Sequence, residues 1–74
     1  MEFEALKKII VDTISCDEEL VTMEAKLADD LGMDSLDAME VNMAIEEACG
    51  QAIPDEKLGE LKTVADIFNI LNAQ

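Results

Sequence analysis

Apolar residues recur at the spacing of an amphipathic α-helix in three segments of the chain. The first segment covers residues 2–15, and its apolar residues fall on one face: Phe3, Leu6, Ile10 and Ile14. A repeat of three and four residues places side chains on one side of a helix. The pattern therefore predicts a first helix from Glu2 to about Ser15.

The second and third periodic segments both begin at residues that commonly cap helices. Asp34 precedes a segment that reaches about Cys49, and Gly50 follows as a natural helix end. Thr63 precedes the last segment, with Asp66 three residues later as a short version of a capping box. The apolar face of that last helix has four members: Val64, Ile67, Phe68 and Leu71.

The connections between these helices are less regular. Residues 16–33 have no sustained period, and their apolar members are expected to fix them to the core: Leu20, Val21, Leu27 and Leu31. Gly32 suits a turn with positive φ. After the turn at Pro54, Asp55 is expected to cap a short helix to about Leu61, with Leu58 and Leu61 inward. These elements predict an all-α fold, a small bundle of three main helices plus one short helix.

Composition adds a strongly acidic surface to this bundle. The 74 residues are 50% hydrophobic and carry a net charge of −13, with five Lys and no Arg or His. Such a surface repels nucleic acid and opposes self-association, so we expect a monomer that binds proteins with basic patches. The length predicts a single domain over residues 1–74, and no apolar run is long enough to span a membrane. Without a signal-peptide pattern, both cysteines are expected to be free thiols in the cytoplasm, with a Cys16–Cys49 disulfide as the alternative.

Several catalytic and metal-binding classes are excluded by residues that the chain lacks. Without His, neither a Ser/His nor a Cys/His catalytic pair can form, and two Cys cannot complete a zinc site. Asp29, Asp30, Asp34 and Asp37 invite a comparison with a calcium loop. Counted from Asp30, however, position 3 is Gly32, where an oxygen ligand is required. These absences narrow the field of functions, and we expect no dedicated metal site.

The second helix has two apolar faces, whereas an amphipathic helix needs one. One face is assigned to the core: Ala38, Val41, Ile45 and Cys49. The other is a stripe of Leu36, Met39 and Met43, bordered by four acids: Asp37, Glu40, Glu46 and Glu47. The stripe either packs under the long connection or forms a protein-docking surface, for which methionine is well suited. The acids favour docking.

Ser35 follows the cap residue at the start of this helix, where a phosphate would meet free N–H groups and the positive end of the helix dipole. A plain capping role remains the alternative. The sequence Asp34-Ser35-Leu36 after Leu31-Gly32 resembles the attachment motif of acyl carrier proteins. The resemblance continues through Glu46-Glu47, Ile53-Pro54-Asp55 and Thr63-Val64, and so covers nearly the whole chain.

This resemblance implies a carrier and not an enzyme. Its 4'-phosphopantetheine arm would be attached to Ser35, between Asp34 and Leu36, by a phosphopantetheinyl transferase. Acyl chains would be held as thioesters and presented to enzymes of fatty-acid synthesis, whose basic patches would bind Met39, Met43 and the acids around them. Val41, Ile45 and Ile53 are expected to line a cavity for the acyl chain. Asn42 and Cys49 depart from the family pattern, where apolar and aromatic residues are usual.

Three other functions remain open. A polyketide carrier, or another specialised carrier of the same fold, is the nearest. A calcium-binding module is the second, although the loop pattern fails. The third is an adaptor that uses the stripe of Leu36, Met39 and Met43 without any arm, for which replacement of Ser35 by Ala would leave function intact.

Overall fold

The computed structural model describes residues 1–73, which form four α-helices. They are α1 (Phe3–Ile14), α2 (Ser35–Cys49), α3 (Asp55–Leu58) and α4 (Val64–Ala73), with a 3₁₀ turn at Glu18–Leu20. Residues 1–73 contain no extended strand, only one isolated antiparallel bridge between Lys26 and Thr63. The prediction of an all-α fold with three main helices and one short helix is confirmed.

Left-handed backbone conformations end α1 and α2. Ser15 follows α1 with φ 56°, and its N–H donates to the carbonyl of Val11 at 2.9 Å. Gly50 follows α2 with φ 78°, and its N–H donates to the carbonyl of Glu46 at 2.8 Å. Gly32 adopts φ 69°, so the predicted turn before α2 is confirmed. Glycine adopts this conformation without steric penalty, whereas Ser15 is a non-glycine residue held there.

One apolar cluster joins all the long helices, the connection between α1 and α2, and the connection between α2 and α3. Its buried members come from each of these elements: Leu6, Ile10, Val21, Ala25, Leu27, Met33, Val41, Ile45, Ile53, Val64, Ile67 and Leu71. At its edge, the rings of Phe3 and Phe68 meet edge to face, with centroids 6.3 Å apart. The apolar positions that the periodicity predicts for α1 and α4 are therefore the ones that are buried or half-buried in the core.

The long connection between α1 and α2 is fastened by backbone hydrogen bonds to the first turn of α4 and to the residue Lys62 before it. These join Leu27 N–H to the Lys62 carbonyl at 2.9 Å, Val64 N–H to the Ala25 carbonyl at 3.1 Å, and Ala65 N–H to the Met23 carbonyl at 2.9 Å. Together with burial of Val21 and Leu27, they explain how a connection without helical periodicity keeps one conformation.

Helix α4 begins with a reciprocal cap. Asp66 N–H donates to Thr63 Oγ1 at 3.3 Å, and the Asp66 carboxylate accepts from the backbone N–H groups of Lys62 at 2.9 Å and Thr63 at 3.1 Å. These bonds stabilise the ionised carboxylate, chiefly the bonds from Lys62 and Thr63, and so lower the pKa of Asp66. The predicted capping role of Thr63 and Asp66 is confirmed.

Two predictions about the short helix need correction. Asp55 is the first residue of α3 rather than its cap, because Pro54 occupies the cap position. The helix ends at Leu58, three residues earlier than predicted, since Gly59 follows directly and glycine is a poor helix former. Leu58 and Leu61 are both half-buried against the core, as their predicted inward positions required.

The sequence predicts interior positions for Leu20 and Cys49, and both predictions are wrong. Leu20 is 48% exposed, because the connection buries the side chain of the neighbouring Val21 instead. Cys49 is exposed because the last turn of α2 extends past the core: residues 46–50 are all exposed. Cys16 is the more buried cysteine, and this burial is the main reason that its pKa is raised.

Candidate functional site

The start of α2 is closed by a reciprocal cap made of two aspartates. Asp34 adopts an extended conformation before the helix, and its Oδ1 accepts from Asp37 N–H at 2.8 Å. Asp37 Oδ2 accepts from Asp34 N–H at 3.3 Å. Both carboxylates therefore face backbone donors of the first turn, which fixes the direction in which α2 leaves the preceding turn.

Ser35 is the first helical residue after this cap, and its side chain is exposed. The cap uses the N–H groups of Asp34 and Asp37, while Ala38 N–H donates to the Asp34 carbonyl at 2.9 Å. Within residues 1–73, the N–H groups of Ser35 and Leu36 have no protein acceptor. An anion bonded to the Ser35 hydroxyl would thus lie at two available donors and the positive end of the helix dipole.

Two shallow depressions adjoin Ser35 on the side of α3. One has a volume of about 310 Å³ and the other about 360 Å³. Both are lined by the same four residues: Ser35, Ala38, Leu58 and Gly59. The smaller depression extends towards Leu27 and Met33 of the core, and the larger extends towards Met39 and Asp55. A flexible group attached to Ser35 therefore has apolar surface within reach on two sides.

The stripe of Leu36, Met39 and Met43 faces solvent. These residues are 68%, 54% and 63% exposed, respectively. The interpretation that they pack under the long connection is therefore wrong. Among the four bordering acids, Glu40, Glu46 and Glu47 are exposed and Asp37 is half-buried in the cap. The result is an exposed apolar surface with an anionic border.

The three residues predicted to line an acyl cavity lie in the core. Val41, Ile45 and Ile53 are at most 2% exposed, and the depressions at Ser35 are lined by other residues. Asn42 lies beside them, half-buried, and binds the backbone of Ile53 twice. Its Oδ1 accepts from Ile53 N–H at 2.7 Å, and its Nδ2 donates to the Ile53 carbonyl at 3.0 Å. Asn42, which stands where the family usually has an apolar residue, therefore makes a specific contact.

The acidic residues do not gather into a metal site. Across residues 1–73, no group of three or more His, Cys, Asp or Glu side chains has the arrangement to hold a metal ion. In the same part of the chain, none of the helices has the length and apolar character needed to cross a bilayer.

Comparisons with known proteins agree with this geometry. The family described as the phosphopantetheine attachment site matches residues 4–71. An acyl carrier protein of Petrotoga mobilis is 47% identical over 70 residues, covering 95% of this chain and 82% of the relative. One from Thermosynechococcus vestitus is 48% identical over 69 residues, covering 93% and 85%. A solved structure from Mycobacterium tuberculosis, assigned as an acyl carrier protein, superposes with a TM-score of 0.87 at 28% identity, covering 96% and 95% of the two chains.

The chain belongs to the acyl carrier protein family, whose members are carriers of covalent acyl chains and not enzymes. The cofactor of the family is 4'-phosphopantetheine. The residues at the start of α2 fit this group, because an exposed hydroxyl is combined with two free N–H groups and adjoining apolar depressions. The neighbouring carboxylates of Asp34 and Asp37 are already directed at backbone donors of the cap.

Sequence reasoning missed two parts of this site. Leu58 and Gly59 line both depressions, yet nothing in their own segment indicates that α3 lies beside Ser35. The spacing predicts that Leu58 faces inward, but it does not indicate which residues Leu58 faces. Asn42 was noticed as a polar residue at the edge of the core face, but its partner Ile53 lies eleven residues away. No local pattern predicts that contact.

Proposed function

We propose that Ser35 is the residue that carries the phosphopantetheine arm. The observation that supports this most directly is the exposed Ser35 hydroxyl at the capped start of α2, beside two unoccupied backbone donors. In the transfer step, the hydroxyl oxygen attacks the β-phosphorus of coenzyme A and forms a phosphodiester. Adenosine 3',5'-bisphosphate leaves, and the hydroxyl proton passes to the transferase. The chain presents the nucleophile, and the transferase supplies the catalysis.

The arm would end in a thiol that holds acyl chains as thioesters for the enzymes of fatty-acid synthesis. Those enzymes would bind the stripe of Leu36, Met39 and Met43 through apolar contacts and its acidic border through basic patches. The net charge of −13 supports this choice of partner, because opposite charge accelerates encounter and orients the two surfaces. It also supports a monomer, since copies of the chain repel one another.

Intact mass measurement tests the attachment residue. The folded protein is incubated with coenzyme A and a broad-specificity phosphopantetheinyl transferase, alongside Ser35→Ala and Ser15→Gly. These are the only two serines of the chain, and Gly preserves the left-handed backbone at position 15. We expect one arm on the wild type and on Ser15→Gly, and none on Ser35→Ala. An arm on folded Ser35→Ala, or none on the wild type, would contradict the proposal.

The docking surface is tested by charge reversal at matched positions. Glu46→Lys changes an exposed acid on the border of the stripe, whereas Glu19→Lys changes an exposed acid of the 3₁₀ turn by the same charge. Association rates with a fatty-acid synthesis ketosynthase are measured over a salt series. We expect Glu46→Lys to slow association more than Glu19→Lys at low salt, with the difference shrinking as salt screens it. Equal slowing would assign the effect to net charge alone.

The nature of the cargo is tested separately from the arm. The loaded protein is offered to acyl transferases of fatty-acid synthesis and to those of polyketide synthesis, and the charged thioester is identified by mass. Preferential charging by the first set supports the proposed pathway, and preferential charging by the second would replace it with a polyketide carrier.

We assign the protein to the cytoplasm, with support from two cysteines that are both free thiols.

A further inference from the structure

The contact between Asn42 and Ile53 has a bearing on how the interior of this protein opens. Asn42 lies in the middle of α2, and Ile53 lies in the connection between α2 and α3. The two hydrogen bonds measure 2.7 and 3.0 Å, and they satisfy both backbone groups of Ile53 with one side chain. The Ile53 side chain is only 2% exposed in the core. One amide thus holds the connection against the helix at the point where an apolar residue enters the interior.

The interior next to this contact is closed. Val41 and Ile45, one residue before and three after Asn42, are 2% and 0% exposed. The depressions at Ser35 are lined by the start of α2 and by Leu58 and Gly59, and the smaller one also reaches Leu27 and Met33, but neither is lined by Val41 or Ile45. For an acyl chain to pass between α2 and the connection, the connection must move away from the helix. That movement would separate Asn42 from Ile53 and leave half-buried polar groups without partners.

We propose that Asn42 is a latch, a positioning residue that opposes entry of the acyl chain between α2 and the α2–α3 connection. It acts through Ile53 and touches neither the arm nor the thioester. In the native protein, the latch favours chains that remain in the outer depressions, and breaking it favours chains that enter the core. The inference rests on the proposed carrier role of Ser35, and it adds a determinant of where the cargo lies.

The test compares how much an eight-carbon acyl chain stabilises each variant. Octanoyl and unacylated arm-bearing forms of the wild type and of Asn42→Val are prepared, and their melting temperatures are measured. Removal of the latch should lower the melting temperature of the unacylated form. It should also increase the rise on octanoylation by about 4–8 °C over the wild type, the shift expected for one net hydrogen bond in a domain of this size. A merely structural role would lower both forms equally.

A second variant separates the latch from a change in polarity. Asn42→Asp retains an acceptor for Ile53 N–H but loses the donor to the Ile53 carbonyl, and it adds no apolar surface. A larger rise on octanoylation in both variants supports the latch. A larger rise in Asn42→Val alone would overturn it, because apolar lining would then explain the effect. If Asn42→Val does not fold, Asn42→Asp decides: a rise equal to that of the wild type overturns the proposal.

The matched control removes a similar contact elsewhere. Asn72 also binds backbone through its amide, accepting from the N-terminal ammonium of Met1 at 3.3 Å and donating to the Met1 and Phe68 carbonyls. We expect Asn72→Val to be destabilised in both forms with an unchanged rise on octanoylation. An increased rise in Asn72→Val would overturn the latch. Failure of the carrier role is distinct, because Ser35 would then take up no arm in any variant.

Discussion

Helices α2 and α4 begin with the same kind of reciprocal cap but in opposite surroundings. In α2 the cap is formed by Asp34 and Asp37, and the next residue, Ser35, is exposed. In α4 the cap is formed by Thr63 and Asp66, and the next residue, Val64, is fully buried. A capped helix start alone therefore does not identify a functional site. Exposure of the first helical residue, with donors left over beside it, distinguishes the α2 start as a candidate site.

The largest effect is expected when α4 is given the same first residue as α2. Val64→Ser places a hydroxyl in the core and removes apolar contacts, so we expect a loss of about 2–4 kcal/mol in the free energy of unfolding. Urea unfolding measures this loss. With Ser35→Ala in the same chain, the new serine should accept no arm from the transferase, as shown by intact mass. Loading at position 64 would refute the importance of exposure.

A smaller, equal effect on stability is expected from removing either cap. Asp34→Ala and Thr63→Ala each delete a side-chain acceptor, and each should lower the free energy of unfolding by about 1 kcal/mol. Only Asp34→Ala should slow arm transfer, because Asp34 adjoins Ser35 and Thr63 does not cap that helix. The initial rate of arm transfer is measured by mass spectrometry, and the free energy of unfolding is measured with urea. Equal slowing by both variants would attribute the rate to stability.

The stabilisation that the α4 cap contributes should depend on pH in the acidic range. Backbone hydrogen bonds lower the pKa of Asp66 in the folded state, so the unfolded state takes up this proton first as pH falls. The stabilisation is complete above the unfolded pKa of about 4 and is lost as pH falls through the lower folded pKa. Asp66→Asn should therefore lose less melting temperature than the wild type below about pH 4. Asp17→Asn, an exposed aspartate, is the control, and an equal change there would contradict the assignment.

The smallest effect on stability is expected from the stripe on α2. Met39→Gln and Met43→Gln alter exposed side chains, so the free energy of unfolding should change by no more than about 0.5 kcal/mol. Binding to a fatty-acid synthesis ketosynthase should weaken in the same variants. Urea unfolding and binding titrations test both statements. A large loss of stability would show that these methionines support the fold, and unchanged binding would remove them from the docking surface.

Much of the fold could be predicted from local patterns. The ends of α1 and α2 follow from their apolar period and from Asp34 and Gly50, and the cap of α4 follows from Thr63 and Asp66. These features depend on residues within one or two turns of each other. The exposed stripe was also visible in the sequence, since a helix with two apolar faces can bury only one against a small core.

The remaining features depend on contacts between distant segments. Cys49 has the helical spacing of the core face, yet α2 extends past the core there, and periodicity carries no information on where the core ends. The position of α3 beside Ser35 is likewise tertiary. A polar residue at the edge of the core face suggests a poorly filled interior, but Asn42 there binds the backbone of Ile53. The partner is visible only in the folded structure.

The fastening of the long connection through backbone groups has an evolutionary consequence. Leu27, Val64 and Ala65 donate the bonds through their main-chain N–H groups, so the ties make no demand on side-chain identity other than excluding proline. Substitutions that change the charge of exposed residues nearby, such as Lys26 and Lys62, therefore leave these backbone hydrogen bonds in place. A lineage can thus retune this surface towards new partners while the scaffold that presents Ser35 is inherited unchanged.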